Sequence, residues 1–408
     1  MTPADFRSAK TIADRVIEVC MVGFVISSVF SIALSQGFGA LAGLVWLGTI
    51  VARGRRGIRA PLLLPQLALL GWSVVSVLAA DDVRTGLIEL RSAWIPIVVF
   101  LIFVNRDRAA GGPTLWLRLL LATATLVAVQ GLVQTAIHGL DFRVKGTLGH
   151  YMTYSGVMLL VLPLALAWLL FARRGWRDRW LFVAVPMMLA ALGLTQTRSA
   201  WLGLLVAGLL LVSLWRVRFL LAVPLLAVLL VLLAPPTIRE RVMSTFDRKN
   251  VTAVERLYMW SSGLEVFLDH PLVGVGPGNL RRVYPEYRHP DDPWLEHRRF
   301  THVHNDVIQI AAERGGPALL AWLWLWVVFF VRAGAAHRRL APADRETRAL
   351  TAGSMAAISG FLVMGLFEYN WGNTEVMTLA HLVMALSLAA AASPAGAEGR
   401  DGAAGGGC

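Results

Sequence analysis

The residues with the clearest capacity for chemistry lie between positions 296 and 318, where ionisable side chains crowd together just before a long apolar run. His304 is the leading candidate, because Asn305 and Asp306 directly after it are good helix-capping residues. The partial positive charge at a helix N terminus disfavours an imidazolium, so the ring is expected to stay neutral and able to accept a proton. We therefore predict that His304 is a catalytic base; a histidine that only caps or hydrogen-bonds the helix is the structural alternative.

His302 stands two residues before His304 and offers a second imidazole. A His-x-His pair can ligate a metal ion, but in the sequence no carboxylate or cysteine set at ligand spacing completes such a site. We therefore assign no metal and no cofactor, and count His302 among the substrate-binding candidates. The acidic pairs Asp81-Asp82 and Asp291-Asp292 are better explained as a helix cap and a solvated turn than as sites for a divalent ion.

Two arginines are predicted to act together with the histidine. Arg198 stands between two apolar runs with almost no room for a loop, and an arginine costs about 2.5–3.5 kcal/mol at mid-bilayer on insertion scales, less near an interface. An anionic ligand would offset this cost, and an arginine that snorkels to lipid headgroups is the alternative. Arg256 projects from an amphipathic segment close to the expected mouth of the bundle. Its structural alternative is a surface salt bridge with Glu255 or Glu240.

The remaining substrate-binding candidates are polar or charged residues at the ends of apolar runs on the predicted outer side: Asn305, Arg91, Arg143, Lys145, His302 and Glu368. Arg91 lies inside a predicted span behind Glu89, where a structural ion pair is the simpler explanation. Arg143 and Lys145 share a short loop, in which either would bind a phosphate or only solvate a turn. Glu368 is expected to pair with one of the arginines.

The elements that position these residues are predicted to be membrane-spanning helices. Of the 408 residues, 56% are hydrophobic and only 16% are charged. Apolar runs of about 17–25 residues recur along the chain, which is the length that crosses a bilayer, and no period-two alternation indicates a barrel. The predicted fold is an all-α polytopic membrane protein with about twelve transmembrane helices and one large external helical loop. The spans are placed near 12–34, 37–52, 62–80, 86–104, 114–137, 151–171, 178–196, 199–215, 217–234, 317–333, 347–367 and 374–392.

The distribution of charge orients these spans. Most arginines fall on one side if the spans alternate, so the positive-inside rule puts both termini in the cytoplasm and explains the net charge of +12 without nucleic acid. The predicted organisation is transmembrane helices 1–9 over residues 1–234, an external cap with short helices over 235–316, transmembrane helices 10–12 over 317–392, and a disordered tail over 393–408. Residues 235–316 are called the cap segment below.

Turn residues divide the cap segment into two short helices. Pro235-Pro236 is expected to end the ninth span, and apolar residues at helical spacing predict an amphipathic helix over 254–268. The glycine-rich run 274–279 forces turns. A second helix is expected to begin near 304–306 and to stop at Gly315-Gly316, after which Pro317 opens the tenth span.

Several cations and one candidate base at an outward-facing membrane mouth favour group transfer from a lipid-borne diphosphate donor. The cations would stabilise the diphosphate as a leaving group, and the histidine would deprotonate an incoming hydroxyl. No P-loop or other nucleotide-binding motif is present in the sequence. A transporter is the alternative from a different class, but the sequence has no inverted repeat and no matched pair of broken helices.

These features resemble the O-antigen ligase/polymerase superfamily of bacterial cell-envelope glycosyltransferases. The ligase branch (WaaL) has His followed by Asn, Ser or Gln, nine residues, Gly, two residues, and then Gly, Thr or Tyr; His304, Asn305 and Gly315 match, while Ala318 departs. Its second pattern, Arg and Leu separated by three residues, matches Arg198 and Leu202. The segment HPLVGVGPGN and one large periplasmic loop before the tenth span are also similar to that family.

The resemblance implies a metal-independent, inverting glycosyltransferase of the bacterial inner membrane with its active site facing the periplasm. Such an enzyme transfers O-antigen polysaccharide from undecaprenyl diphosphate to a hydroxyl of lipid A–core. It implies that His304 activates that hydroxyl and that Arg198 and Arg256 bind the diphosphate. The implied partners are the undecaprenyl diphosphate-linked glycan donor, the lipid A–core acceptor and the bilayer. An O-antigen polymerase and a protein O-oligosaccharyltransferase are the alternatives within the superfamily.

Overall fold

The computed structural model describes residues 11–53, 58–91, 93–105, 112–172, 175–244, 251–289, 300 and 302–392. All regular structure in these ranges is helical. The α-helices are α1 (Ile12–Ser27), α2 (Ile32–Arg53), α3 (Leu63–Leu78), α4 (Val83–Leu90), α5 (Trp94–Asn105), α6 (Gly112–His138), α7 (Tyr151–Phe171), α8 (Leu181–Leu194), α9 (Arg198–Arg216), α10 (Ala222–Leu233), α11 (Pro236–Met243), α12 (Val251–Asp269), α13 (Leu280–Val283), α14 (Asp306–Arg339), α15 (Arg345–Gly365) and α16 (Thr374–Ala391). The predicted tail 393–408 and the pair Asp291-Asp292 lie outside the described residues.

The membrane-protein prediction is confirmed. Eight helical stretches are long and apolar enough to cross a bilayer, and the second of them consists of α4 and α5 together: Ile32–Ala52, Val83–Asn105, Gly112–His138, Tyr151–Phe171, Arg198–Phe219, Asp306–Arg339, Arg345–Gly365 and Thr374–Ala391. Three further apolar helices are shorter: Leu63–Leu78, Leu181–Leu194 and Ala222–Leu233. Every predicted span overlaps one of these helices or, for the first span, α1.

One predicted boundary is wrong. The first span does not run to residue 34, because α1 ends at Ser27 and α2 begins at Ile32. The fourth span, 86–104, lies within the candidate span Val83–Asn105, but two helices form it, because α4 ends at Leu90 and α5 begins at Trp94. Pro96 explains where the new helix begins, since a proline is tolerated in the first turn of a helix but not in its interior. Arg91 therefore lies at a break.

Small residues hold the centre of the bundle together. Helix α15 packs against α7 and α9, and α16 packs against α5 and α15. A methyl group added at Gly203 of α9 would lie 2.5 Å from the backbone oxygen of Gly360 in α15, and one at Gly353 would lie 2.8 Å from the side chain of Ala167 in α7. Such small residues let helix backbones approach closely where apolar surroundings supply no hydrophobic driving force. The position of α9, which begins with Arg198, depends on this packing.

The cap segment joins the bundle at a break in α14. Gly315 has non-helical dihedral angles (φ 77°, ψ 175°), so a short first helix ends there and the long helix continues after Pro317, as predicted. The preceding glycine-rich turns use the carbonyl groups that the break leaves open: the N–H of Val275 donates to Ala312 O at 3.0 Å, and that of Gly276 donates to Glu313 O at 2.8 Å. The carbonyl groups at the break are thus satisfied by backbone hydrogen bonds.

Helix α3 fastens the cap segment from the other side. The indole N–H of Trp72 donates to Leu272 O at 3.0 Å, and the hydroxyl of Ser76 donates to Glu313 O at 2.9 Å. Helix α12 lies along α14, as its amphipathic pattern predicts. The cap segment is therefore held to the bundle at defined points, and the helix ends beneath it are brought together.

Candidate functional site

The centre of the candidate site is Glu368, in the turn between α15 and α16. Its carboxyl group is buried, with 2% of the residue exposed. One carboxyl oxygen, Oε2, lies 3.0 Å from Nδ1 of His304, and the other accepts a hydrogen bond from the guanidinium of Arg256. The sequence predicts that Glu368 pairs with an arginine, and this is confirmed; the partner is Arg256, which the sequence alternative paired with Glu255 or Glu240.

Glu368 fixes the proton arrangement of His304. Burial alone raises the pKa of Glu368, but the hydrogen bond from His304 and the charge of Arg256 outweigh burial and bring the pKa below its usual value. Glu368 is therefore a carboxylate at neutral pH and can only accept hydrogen bonds. In the neutral form of His304, Nδ1 therefore carries the hydrogen and Nε2 keeps its lone pair, an assignment inferred from this network. A base oriented by a third group is the arrangement that activates hydroxyls in many enzymes.

Backbone strain marks the same place. In the described part of the chain, Gln196 (φ 54°) and His304 (φ 51°) are the non-glycine residues with positive φ. Gln196 immediately precedes the Thr197 cap of α9, and His304 immediately precedes the Asn305 cap of α14. Residues held in this sparsely populated region cost of order 1–3 kcal/mol and cluster at functional sites. Both strained residues flank the charged side chains of this site.

Asn305 and Asp306 hold His304 and Glu368 in place relative to each other. The side-chain oxygen of Asn305 accepts hydrogen bonds from the first turn of α14, and its amide donates to Leu366 O at 2.9 Å. Asp306 accepts from the N–H of Trp371 at 3.0 Å. Both residues are buried and tie the turn that carries Glu368 to the segment that carries His304. Asn305, predicted to bind substrate, is placed as a cap and a link between these segments.

Arg198 belongs to the same charged cluster. Its guanidinium donates to the hydroxyl groups of Ser244 at 3.4 Å and Thr252 at 3.0 Å. The charges of Arg241, Arg256 and Arg143 all act on it. Arg198 thus lies within electrostatic range of Arg256, and Arg256 shares the carboxylate of Glu368 with His304.

Arg143 holds the turn that presents Arg198. Its guanidinium donates to Thr195 O at 3.0 Å and to Gln196 O at 3.2 Å, and it stacks on Tyr151 with 3.3 Å from the guanidinium carbon to the ring centroid. Burial lowers the pKa of Arg143, with Arg241 adding to the effect and Tyr151 opposing it. Arg143 therefore fastens the strained turn between α8 and α9 and adds its charge to the cluster.

Two predicted binding residues lie apart from this cluster. Lys145 is exposed, with its amino group 5.9 Å from the ring of Phe142. Arg91 lines a separate cavity beside Tyr369. The ion pair expected between Arg91 and Glu89 is not found among the salt bridges of the described residues.

The sequence reading missed Arg241 and His150. Arg241 of α11 acts electrostatically on both Arg198 and Arg143, and its Nε is buried without a hydrogen-bond partner in the described chain. His150 caps α7, and burial lowers its pKa while the charge of nearby Glu368 opposes this. Arginine in a polar helix after a double proline carries no signal of its own. Only the tertiary structure, in which Ser244 at the end of α11 accepts a hydrogen bond from Arg198, shows that Arg241 belongs near the site.

His302, His304 and Glu368 form a possible set of metal ligands, which the sequence analysis did not predict. Ligand atoms of His302, His304 and Glu368 lie within 4.8 Å of one another, so a carboxylate distant in sequence does complete the histidine pair. Burial lowers the pKa of His302 to about 4, which leaves its ring neutral at neutral pH. However, Arg256 already occupies Glu368, and the surrounding arginines repel a cation. The electrostatics of the site therefore favour an anion over a metal ion.

The fold is that of a polytopic helical membrane protein, and it brings together a cluster of arginines and a histidine bonded to a buried carboxylate. Residues 184–323 match the family model described as O-antigen ligase, which is consistent with the O-antigen ligase/polymerase superfamily. The matched range includes Arg198, Arg256 and His304, whereas Glu368 and Arg143 lie outside it. Among curated proteins, none matches the chain.

Proposed function

We propose that this protein is an O-antigen ligase, which transfers O-antigen polysaccharide from undecaprenyl diphosphate to a hydroxyl of lipid A–core. The observation that carries the proposal is the position of Glu368, bonded at once to His304 and to Arg256. This carboxylate joins a candidate base to a cluster of cations, and a glycosyl transfer from a diphosphate needs both. The match to the O-antigen ligase family model supports the same conclusion.

The proposed reaction is a single displacement. The acceptor hydroxyl donates its proton to Nε2 of His304 while its oxygen attacks the anomeric carbon of the donor sugar. The bond between that carbon and the diphosphate oxygen breaks, and its electron pair leaves with undecaprenyl diphosphate. Attack from the face opposite the leaving group inverts the anomeric centre. The imidazolium formed on His304 is stabilised by the Glu368 carboxylate.

The excess positive charge of the arginine cluster favours binding of a diphosphate. The charge of Arg256 is balanced by Glu368. Arg143, Arg198 and Arg241 make no ion pair with a carboxylate in the described part of the chain. Three uncompensated guanidinium groups at the end of a hydrophobic bundle would attract an anion carrying several charges and would stabilise the charge that develops on the leaving group.

The proposal includes a location and an orientation. The protein would lie in the bacterial inner membrane with both termini in the cytoplasm and with the cap segment in the periplasm. Residues 1–234 would supply helices 1–9 and residues 317–392 helices 10–12. The donor already carries the energy of its phosphate-linked sugar, so the reaction would need neither ATP nor a metal ion.

The decisive experiment combines the purified protein, lipid-linked O-antigen and lipid A–core in the presence of a chelator. We expect O-antigen-bearing lipopolysaccharide and released undecaprenyl diphosphate, with no product when lipid A–core is omitted. Longer glycan on the same carrier lipid would identify a polymerase instead. Modification of an added pilin-like acceptor protein would identify a protein O-oligosaccharyltransferase. Movement of the lipid-linked glycan across vesicles without a covalent product would identify a transporter.

A further inference from the structure

A second compartment lies on the other side of the turn that carries Glu368. This cavity, about 180 Å³ in volume, is bounded by α3, α5, α14 and α16 together with the 88–91 segment. Its lining combines polar groups with apolar side chains such as Leu70 and Ile97. It contains neither His304 nor Arg198, and it is not part of the site described above.

An unpartnered amide faces this cavity. Gln66 of α3 is 3% exposed, and neither its side-chain oxygen nor its nitrogen has a hydrogen-bond partner in the described chain. A buried amide without partners is costly, because it gives up its bonds to water and receives nothing in return. In a cavity that it lines, such an amide is satisfied by a ligand that offers both a donor and an acceptor. A hydroxyl or an amide group has this chemistry.

A cation stands at the same cavity. Arg91 lies exposed between α4 and α5, and no ion pair of the described residues includes it. Two other charged residues line the cavity: Arg314, whose guanidinium is bonded to Glu313 at 3.1 Å, and Glu89, whose charge acts on Arg314. The cavity cation without a carboxylate partner among the described residues is therefore Arg91, and at membrane depth the natural counter-ion of an exposed arginine is a lipid phosphate.

Neighbouring residues of one turn face the two compartments. Glu368 bonds His304 and Arg256, whereas Tyr369 lines the cavity and interacts with Arg314. The turn is thus a thin partition between the arginine cluster and the cavity. A substrate held on each side would approach the histidine from opposite directions.

We propose that this cavity is a second lipid site, which binds the phosphorylated acceptor lipid separately from the donor. Arg91 pairs with a lipid phosphate, Gln66 bonds an amide or hydroxyl of the lipid, and part of one acyl chain packs beside Leu70 and Ile97. The cavity volume equals that of about six waters at about 30 Å³ each, so only a short segment of chain enters and the rest stays in the bilayer. Assigning the acceptor to this site rests on the proposed function.

Steady-state kinetics separate the two lipid sites. Arg91→Ala should raise KM for lipid A–core by about tenfold to a hundredfold, the value of a hydrogen bond to a charged group, and leave KM for the lipid-linked donor unchanged. Arg84→Ala is the matched control, because Arg84 is an exposed arginine of α4 that does not line the cavity. An increase in donor KM without a change in acceptor KM would overturn the assignment.

Binding tested without turnover keeps the site independent of the proposed function. The probe is radiolabelled lipid A in phosphatidylcholine vesicles, and its retention is measured with the whole protein. Wild type and Arg84→Ala should retain lipid A, Arg91→Ala should lose it about tenfold, and excess inorganic phosphate should not displace it. If transfer fails in wild type while this pattern holds, the site stands and the ligase proposal falls. Equal retention by Arg91→Ala, or displacement by inorganic phosphate, would overturn the lipid site.

Two further substitutions test the cavity itself. Gln66→Leu removes an unsatisfied amide, so the variant should be at least as stable as wild type while it binds lipid A more weakly. Leu70→Trp should fill the cavity and block lipid A, whereas Leu67→Trp should not, because Leu67 is 48% exposed and does not line it. Undiminished binding by both Gln66→Leu and Leu70→Trp would contradict an occupant at this place.

Discussion

The molecule packs helices in two contrasting ways. Between α9 and α15 the backbones touch through Gly203 and Gly360, with apolar side chains around them. Around Glu368 the helix ends are held instead by buried charges and polar caps, with His304 strained at φ 51°. The first region gains from close van der Waals contact, whereas the second bears the cost of desolvated charge, which only excellent pairing offsets.

This contrast separates stability from chemistry. The glycine contact contains no group that could transfer a proton or bind a phosphate, and the candidates for those tasks lie in the charged cluster around Glu368. The arginine cluster carries more positive charge than its described partners neutralise. Such an excess of positive charge is unfavourable for folding, and the binding of an anionic substrate would offset this repulsion. Substitutions in the two regions should therefore fail in different ways.

The largest effect on activity is expected from His304→Ala. Removing a positioned general base costs about 10²–10⁴ in rate, so transfer should nearly disappear while the protein stays folded and inserted. The measurement is the initial rate of lipopolysaccharide formation, together with the thermal unfolding midpoint. His270→Ala is the control, since His270 is an exposed histidine of the same cap segment. Ordinary turnover by His304→Ala would show that His304 is not the catalytic base. Loss of the fold in this variant would show that the charged region serves stability as well as chemistry.

Arg198→Ala should have the next largest effect. Loss of one preorganised group that stabilises developing charge costs about 10²–10³ in rate, and binding of the lipid-linked donor should weaken as well. Arg198→Lys should restore only part of the activity if the contact to the diphosphate is bidentate. Donor titrations with Arg239→Ala as the control test this, because Arg239 is exposed on α11. Full activity of Arg198→Ala would remove this arginine from the site.

Gly360→Leu tests the other half of the comparison. The added side chain meets Gly203 and Leu159, and overpacking of a tight core costs about 1–3 kcal/mol or more. We expect less folded protein and a lower unfolding midpoint, with a near-normal specific rate in the molecules that fold. The control is Gly48→Leu, since a side chain at Gly48 meets nothing within 4 Å. A stable Gly360→Leu protein with a specific activity as low as that of His304→Ala would contradict the inference that the glycine contact serves stability and the charged cluster serves chemistry.

How much of the structure could be predicted from the sequence depends on how far apart in the chain the interacting residues lie. The cap of α14 at Asn305 and its break at Gly315 follow from local rules, because capping and positive φ depend on neighbouring residues. The pairing of Arg256 with Glu368 spans 112 positions, and no local pattern distinguishes Glu368 from Glu255 as the partner. The break at Arg91 was missed because the apolar run continues through it, and hydropathy does not sense where a helix ends.

The smallest effect concerns pH and stability at the charged site. Burial lowers the pKa of His302 from 6.5 to about 4, so the unfolded chain binds a proton in a range where the folded protein does not. The contribution of His302 to stability should therefore fall as the pH is lowered from about 6.5 towards 4. Glu368 adds little in this range, because its lowered pKa keeps it ionised until the pH is more acidic.

His302→Gln should make the unfolding midpoint less sensitive to pH over this range. Some slope should persist, since burial also lowers the pKa of His150. The exposed His270→Gln variant should keep the wild-type slope. If His302→Gln retains the full slope, the acid sensitivity arises elsewhere. His302 would then be as accessible to water as the exposed histidines. The charged region around Glu368 would also be hydrated, and it would not be the buried, charge-paired region that contrasts with the glycine-packed core.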